Sequence, residues 1–155
     1  MRSNIIVFIG LGLALAACKP AEKVESPAVT IENAWVRLPA VRGRPGAAYF
    51  TLRSHRGTYT LEGIQSARVA RIELHDSSMM DGSMRMAPLA PPQLDKGKAL
   101  TFLPNGKHAM LFDVDPKLKA GDTLRLDFLL SGGTRVGVDV PVVAAGDDAP
   151  NMHAH

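Results

Sequence analysis

Along most of this chain apolar and polar residues alternate with period two, and turn signals interrupt the alternation about every ten residues. Sustained helical periodicity is absent from most of the sequence. The pattern predicts strands over residues 31–37, 46–53, 58–64, 69–75, 99–103, 107–114, 123–130 and 135–142. In 69–75, Ala70, Ile72 and Leu74 are expected to face inward and Arg71, Glu73 and His75 the other way. Leu124, Leu126 and Phe128 form a second inward stripe, and Val136, Val138 and Val140 a third. Trp35 is expected in the core, while residues 58–64 alternate less cleanly. Asn105-Gly106, Gly121-Asp122 and Gly132-Gly133 read as turns. Residues 39–45 read as a loop, and 115–121 (DPKLKAG) as a single helical turn. Seven to nine short strands divided in this way argue for an all-β fold, an antiparallel Greek-key sandwich or barrel, over residues 29–143.

The two ends do not continue the pattern. Residues 1–17 carry Arg2, then an apolar run from Ile5 to Ala17 that is too short to span a bilayer comfortably. They read as a signal peptide. Leu15-Ala16-Ala17-Cys18 resembles a bacterial lipobox, which implies cleavage before Cys18 and lipidation there. The expected location is therefore the periplasm, on a membrane-anchored lipoprotein. Lys19, rather than Asp, follows the cysteine and points to the outer membrane. Residues 18–28 read as the lipidated cysteine and a flexible tether, and 144–155 as a disordered tail rich in Met and His.

Composition narrows the function classes. The chain of 155 residues is 46% hydrophobic, enough for one domain with a real core. Losing Arg2 from the 18 Lys and Arg leaves 17 against 15 Asp and Glu, a net charge of +2. That weak charge, without a long basic run, argues against nucleic acid as a partner. The arginines at 37, 42, 44, 53 and 56 read as a solvated face, and His55 among them as a surface histidine. Cys18 is the single cysteine, so an internal disulfide, a Cys-rich zinc site and a C-x-x-C motif are all excluded.

The chemistry concentrates in His75 to Met110. Two histidines and five of the seven methionines fall in these 36 residues. Imidazole and thioether together form a soft-to-borderline donor set, which selects Cu(I) over harder divalent ions. The spacing is H-x10-M-x21-H-x-M, with His75, Met86, His108 and Met110 as candidate ligands. Residues i and i+2 of a strand share a face, so His108 and Met110 can hold one ion together. An antiparallel neighbour would bring His75 and Met86 to them at one end of the sandwich. Thioethers do not titrate, whereas imidazoles bind only unprotonated, so affinity is expected to fall in acid. Met79, Met80 and Met84 lie in a polar loop, where packing is a weaker explanation, and are candidate accessory ligands. Met152, His153 and His155 form a candidate second copper site in the tail, suited to Cu(II).

These residues resemble the periplasmic copper chaperones called PCuAC, whose signature is this same H-x10-M-x21-H-x-M. The stretches TLEGIQSARVARIELHD, MRMAPL and LPNGKHAMLFDVDPKLKAGDTLRLDFLLSGG are also similar to that family, so the resemblance covers about residues 29–143. It implies a cupredoxin-like fold. It also implies Cu(I) as cargo, delivered toward the binuclear copper site of cytochrome c oxidase. The partner would be the oxidase copper subunit or a Sco-type thiol metallochaperone. Many members carry His-Glu-Met at the first ligand; here Asp76 and Ser77 follow His75, with Met79 or Met80 as stand-ins for the missing methionine.

Other readings fit less well. A blue-copper electron carrier needs a cysteine thiolate, which the β domain lacks. A zinc hydrolase needs hard ligands and a general base. An adhesion sandwich leaves the methionines unexplained. Copper sequestration would use the same residues as delivery. The expectation is a binding protein and not an enzyme.

Overall fold

The computed structural model describes residues 27–150. The expected signal peptide, Cys18 and the expected tether as far as residue 26, and Met152, His153 and His155 all lie outside the described residues. Ten strands follow one another: β1 (Val29–Arg37), β2 (Gly46–Ser54), β3 (Tyr59–Gln65), β4 (Val69–Met80), β5 (Ser83–Pro88), β6 (Gln93–Leu94), β7 (Ala99–Phe102), β8 (Lys107–Val114), β9 (Thr123–Leu130) and β10 (Thr134–Val143). They form one strongly folded sheet in the order β5-β4-β8-β2-β1-β10-β9-β3-β6, with β7 on the second half of β2. All pairs are antiparallel except β1 with β10, which run parallel at Val36–Val142 and Arg37–Val143. The fold is the all-β, cupredoxin-like one expected, with two strands more than the alternation marked, β5 and β6.

The sheet curls around one apolar interior. Phe50 is its centre, stacked on Phe102 at 4.4 Å and edge-on to Phe128 at 4.8 Å. Leu124, Leu126, Phe128 and Leu130 are fully buried, as their alternation predicts. Val140 is fully buried too, with Val136 and Val138 packed against the cluster.

Two β-bulges explain where alternation misleads. In β1, partners step from Glu32–Thr51 to Trp35–Tyr49, so three residues of β1 match two of β2. Asn33 absorbs the extra residue at φ 51°, a left-handed conformation that Asn tolerates. The inward phase shifts from Val29 and Ile31 to Ala34 and Val36. Trp35 is buried, but outside the main core and on the opposite face of the sheet. In β3, the bulge between Leu61 and Gly63 brings Leu61 and Ile64 inward together, which is why that segment alternates poorly.

Three further expectations change. Ala70 is exposed, because it borders a polar cleft between β3 and β4. Residues 115–121 form two turns rather than a helical one. There the Asp115 and Asp122 carboxylates accept the backbone N–H groups of Lys117 and Lys119, both at 2.9 Å, and so compete with helical bonding. The segment from Ser77 to Met86 is a hairpin instead of a loop. Asp81 and Gly82, at φ 51° and 75°, make the two-residue connection, and the left-handed pair matches the twist of the strands.

Phe50→Ala should cost about 3–5 kcal/mol, since the cavity opens between two rings that cannot both collapse into it; urea denaturation measures this. Asp115 provides an acid-side test. Its carboxyl is held below the ordinary value of 3.8 by the Lys117 N–H first and the Arg68 guanidinium second. The folded chain thus binds this proton less readily than the unfolded one. The stabilisation is complete above the ordinary carboxylate pKa and is lost as pH falls through the lowered value. Asp115→Asn should show its largest deficit near neutral pH, and the deficit should close in acid.

Candidate functional site

Directly opposed residues of an antiparallel pair point to the same face of a sheet. β4 pairs with β8 at Glu73–Met110 and His75–His108, and with β5 at Ser77–Met86 and Met79–Met84. One face therefore carries Glu73, His75, Ser77 and Met79 on β4, Met84 and Met86 on β5, and His108 and Met110 on β8. The opposite face of the same strands closes the core through Ile72, Leu74, Ala109 and Leu111. The four expected ligands lie on one surface, the outer face of the sheet rather than an end of the sandwich. His75 sits inside a long strand and not at its terminus.

A shallow cleft of about 290 Å³ opens on this face, with Ser77, Met84, Met86, His108, Met110 and Tyr49 in its lining. His75 lies beside it, across from His108, the two ring centroids 6.2 Å apart. Its side chain is only 13% exposed, so the ring is largely covered although it points away from the core. His108 is 7% exposed. A larger cleft of about 880 Å³, near Leu38, Arg44 and Leu118, contains no imidazole or thioether and lacks the chemistry sought here.

Hydrogen bonds select a tautomer for each imidazole. His108 Nδ1 lies 2.8 Å from the carbonyl oxygen of Gly106, so Nδ1–H donates and the Nε2 lone pair is left for another ligand. His75 Nε2 lies 3.1 Å from the Glu73 carboxylate, which orients the ring from the opposite side. The lone pair of His75 then resides on Nδ1, which is buried and has no hydrogen-bond partner. A buried acceptor without a partner is costly unless something else fills it. A carboxylate or carbonyl behind an imidazole is the usual support of a metal-binding histidine. Glu73 is held in turn by Arg71, whose guanidinium lies 4.2 Å from the centroid of the Phe112 ring. The sequence reading did not identify Glu73. Its i, i+2 spacing to His75 on a strand was the available signal.

The accessory methionines separate by parity. Met79 and Met84 share the face of the ligands, whereas Met80, opposite Ser83, is on the reverse. Ser77, buried and directly opposite Met86, occupies the place where the resemblance expected a methionine. Among the described residues no three His, Cys, Asp or Glu side chains cluster in a metal-binding arrangement. The donors gathered here are two imidazoles and several thioethers.

The far wall of the cleft is aromatic. The β1 bulge turns Trp35 and Arg37 onto this face, where Trp35 packs on Tyr49 at 4.5 Å between ring centroids. The Arg37 guanidinium lies 5.0 Å from the Trp35 centroid and 5.8 Å from that of Tyr49. Burial pushes the Tyr49 phenol above its ordinary pKa, and Arg37 offsets part of that. Arg37 Nη2 also donates to the carbonyl of Asp147 at 3.0 Å, drawing the segment after β10 to this side. His55, by contrast, is exposed, its Nε2 3.0 Å from Thr30 Oγ1, and it does not line this cleft.

Fold and site together define a cupredoxin-like β domain with a Met/His face. The sequence profile of the LpqE-like family matches residues 29–142, and the chain belongs to that family. It also shares the fold of solved PCuAC domains. The copper-bound PCuAC domain from PmoF2 superposes with a TM-score of 0.62 at 19% identity, over 76% of this chain and 94% of that one. The solution structure of Cu(I)-DR1885 from Deinococcus radiodurans gives 0.54 at 25% identity, over 79% and 85%. Protein RP573 of Rickettsia prowazekii (strain Madrid E) is 34% identical over 98 residues, 62% of this chain, and the match spans about half (54%) of RP573.

The hydrogen bonds make a direct prediction. Two-bond 1H–15N spectra of the metal-free protein at mildly alkaline pH should show His75 as the Nε2–H tautomer and His108 as the Nδ1–H tautomer. The reverse assignment at either ring would remove the free nitrogen described for it.

Proposed function

We propose that this protein binds Cu(I) as cargo through His75, Met86, His108 and Met110 and passes it on outside the cytoplasm. The observation that carries the reading is the pair of unclaimed imidazole nitrogens, His75 Nδ1 and His108 Nε2, on the same sheet face as the thioethers of Met86 and Met110. A d10 ion accepts such a neutral, low-coordinate donor set, and soft thioethers discriminate against harder divalent ions. The copper-bound PmoF2 domain and Cu(I)-DR1885, which share the fold, support copper as the cargo.

The position of the site favours delivery over storage. Met86 is more than half exposed at the rim, so an incoming ligand can replace it without the fold opening. The recipient in this reading is the binuclear copper site of cytochrome c oxidase, reached directly or through a Sco-type thiol metallochaperone. Cys18 would carry the lipid that holds the domain at a periplasmic membrane face, the outer membrane by its Lys19 neighbour, with residues 19–28 as tether. Met152, His153 and His155 would provide an accessory site for Cu(II), on a tail whose preceding segment Arg37 already holds beside the aromatic wall.

A competitive Cu(I) titration under reducing conditions, with a chromophoric chelator, tests the main site. The chain ending at Pro150 should bind one equivalent, and Met86→Leu or Met110→Leu should weaken binding about tenfold or more. Absence of competition by the trimmed chain would overturn the assignment. Glu73→Ala should weaken binding to a similar degree without touching the ion, because it frees His75 to rotate and change tautomer.

A further inference from the structure

We propose that the tip of the β4–β5 hairpin is a second, all-thioether position for a soft monovalent cation, formed by Met79 and Met84 with Met86, through which Cu(I) enters and leaves the imidazole site. It rests on the copper reading above and adds a path to it.

Packing does not explain these methionines. Met79, Met84 and Met86 are 64%, 52% and 54% exposed. β8 begins at Lys107, opposite Asp76, so beyond Ser77 the hairpin has no strand beside it on that edge. Nothing in the core is gained by thioethers there. The Asp81-Gly82 turn fixes the register so that Met79 and Met84 stand directly opposite, with Met86 two residues along the same face. Cβ atoms of such a pair are about 4.5–5.5 Å apart, and two flexible thioether arms can close on one ion from that spacing.

The charge pattern fits a soft cation. Asp76, Ser78, Met80 and Arg85 fall on the reverse face by parity. The near face of the tip presents Met79, Met84, Met86 and Ser77, all neutral. Asp81 in the turn is the one carboxylate at the tip, and a single carboxylate is a poor site for a hard divalent ion, whereas the thioethers of the near-face strand positions suit Cu(I) or Ag(I). Met86 belongs to both positions. It lines the cleft with His108 and Met110, and it is the neighbour of Met84. An ion held by the tip can therefore exchange Met79 and Met84 for Met110 and the imidazoles while Met86 stays bound. Exchange of one ligand at a time avoids a bare ion at any stage. Met80 is an internal control, because it is 52% exposed on the same hairpin but faces away.

The test uses the full chain and Ag(I), a redox-inert d10 probe, with 13C-methyl methionine NMR. The first equivalent should shift Met86 and Met110, and further Ag(I) should shift Met79 and Met84 but not Met80. Unloading of the Cu(I)-loaded protein to a chromophoric chelator should then slow at least about fivefold in Met79→Leu/Met84→Leu and stay at the parental rate in Met80→Leu. The proposal is overturned if the Met79 and Met84 methyls do not move, if Met80 moves equally, or if the double variant unloads at the parental rate. Failure of the copper reading looks different: the first equivalent would leave the Met86 and Met110 methyls unshifted.

Discussion

The ladder between β4 and β8 is the constraint on which both halves of this molecule depend. From Val69–Val114 to Asp76–Lys107 the two strands keep one register. Its inner face sets Ile72, Leu74, Ala109 and Leu111 against the core, and its outer face sets His75 beside His108 and Glu73 beside Met110. Side-chain direction has period two, so a slip by one residue would bury the imidazoles and expose the leucines. The burial of apolar side chains thus holds the donors in place, although no donor belongs to the core. The fold does not need the donor face to be filled, because core and donors share a backbone and not a set of contacts.

Irregularities in the sheet are where that periodicity is put to use. Asn33 adds one residue to β1 and turns Trp35 and Arg37 onto the donor face. Without the bulge, Trp35 would continue the stripe begun by Val29 and Ile31. Its large ring would compete for the space now filled by Phe50, Phe102 and Phe128. The bulge instead gives the cleft a wall of stacked rings and a guanidinium that reaches the Asp147 carbonyl. The Asp81-Gly82 turn acts similarly at the other edge, where it sets which methionines join the donor face.

What could be read from the sequence follows from these same facts. The strands 123–130 and 135–142, and 69–75 beyond the exposed Ala70, were legible because apolar burial sets their pattern. The donor spacing was legible because His108 and Met110 share a face by period two alone. The β4–β5 hairpin was not, since Ser78 to Arg85 buries nothing and has no apolar period to find. The Asp-Gly pair was its one local signal. Trp35 is buried as expected, yet its face was not legible, for the opposite reason: alternation was present, but a single left-handed residue reset its phase. Glu73 was passed over because a carboxylate two residues from a histidine reads as a solvated side chain until the strand puts both on one face.

Under the proposed function, the donor face would let tight holding and easy release coexist. The two imidazoles are covered and oriented from behind by Gly106 and Glu73, so their free nitrogens are preorganised. A preorganised donor loses little entropy on binding and holds its ligand firmly. The thioether of Met86 is more than half exposed, at the end of an unbranched side chain with many rotamers. In the proposed copper site a rigid half and a mobile half of one coordination shell would divide the work: the first would set affinity, and the second would admit competing ligands. A site with all its donors buried would bind more durably but would need the sheet to open for each transfer. The seven-pair ladder beneath the imidazoles makes that opening expensive, and the half-exposed thioether makes it unnecessary.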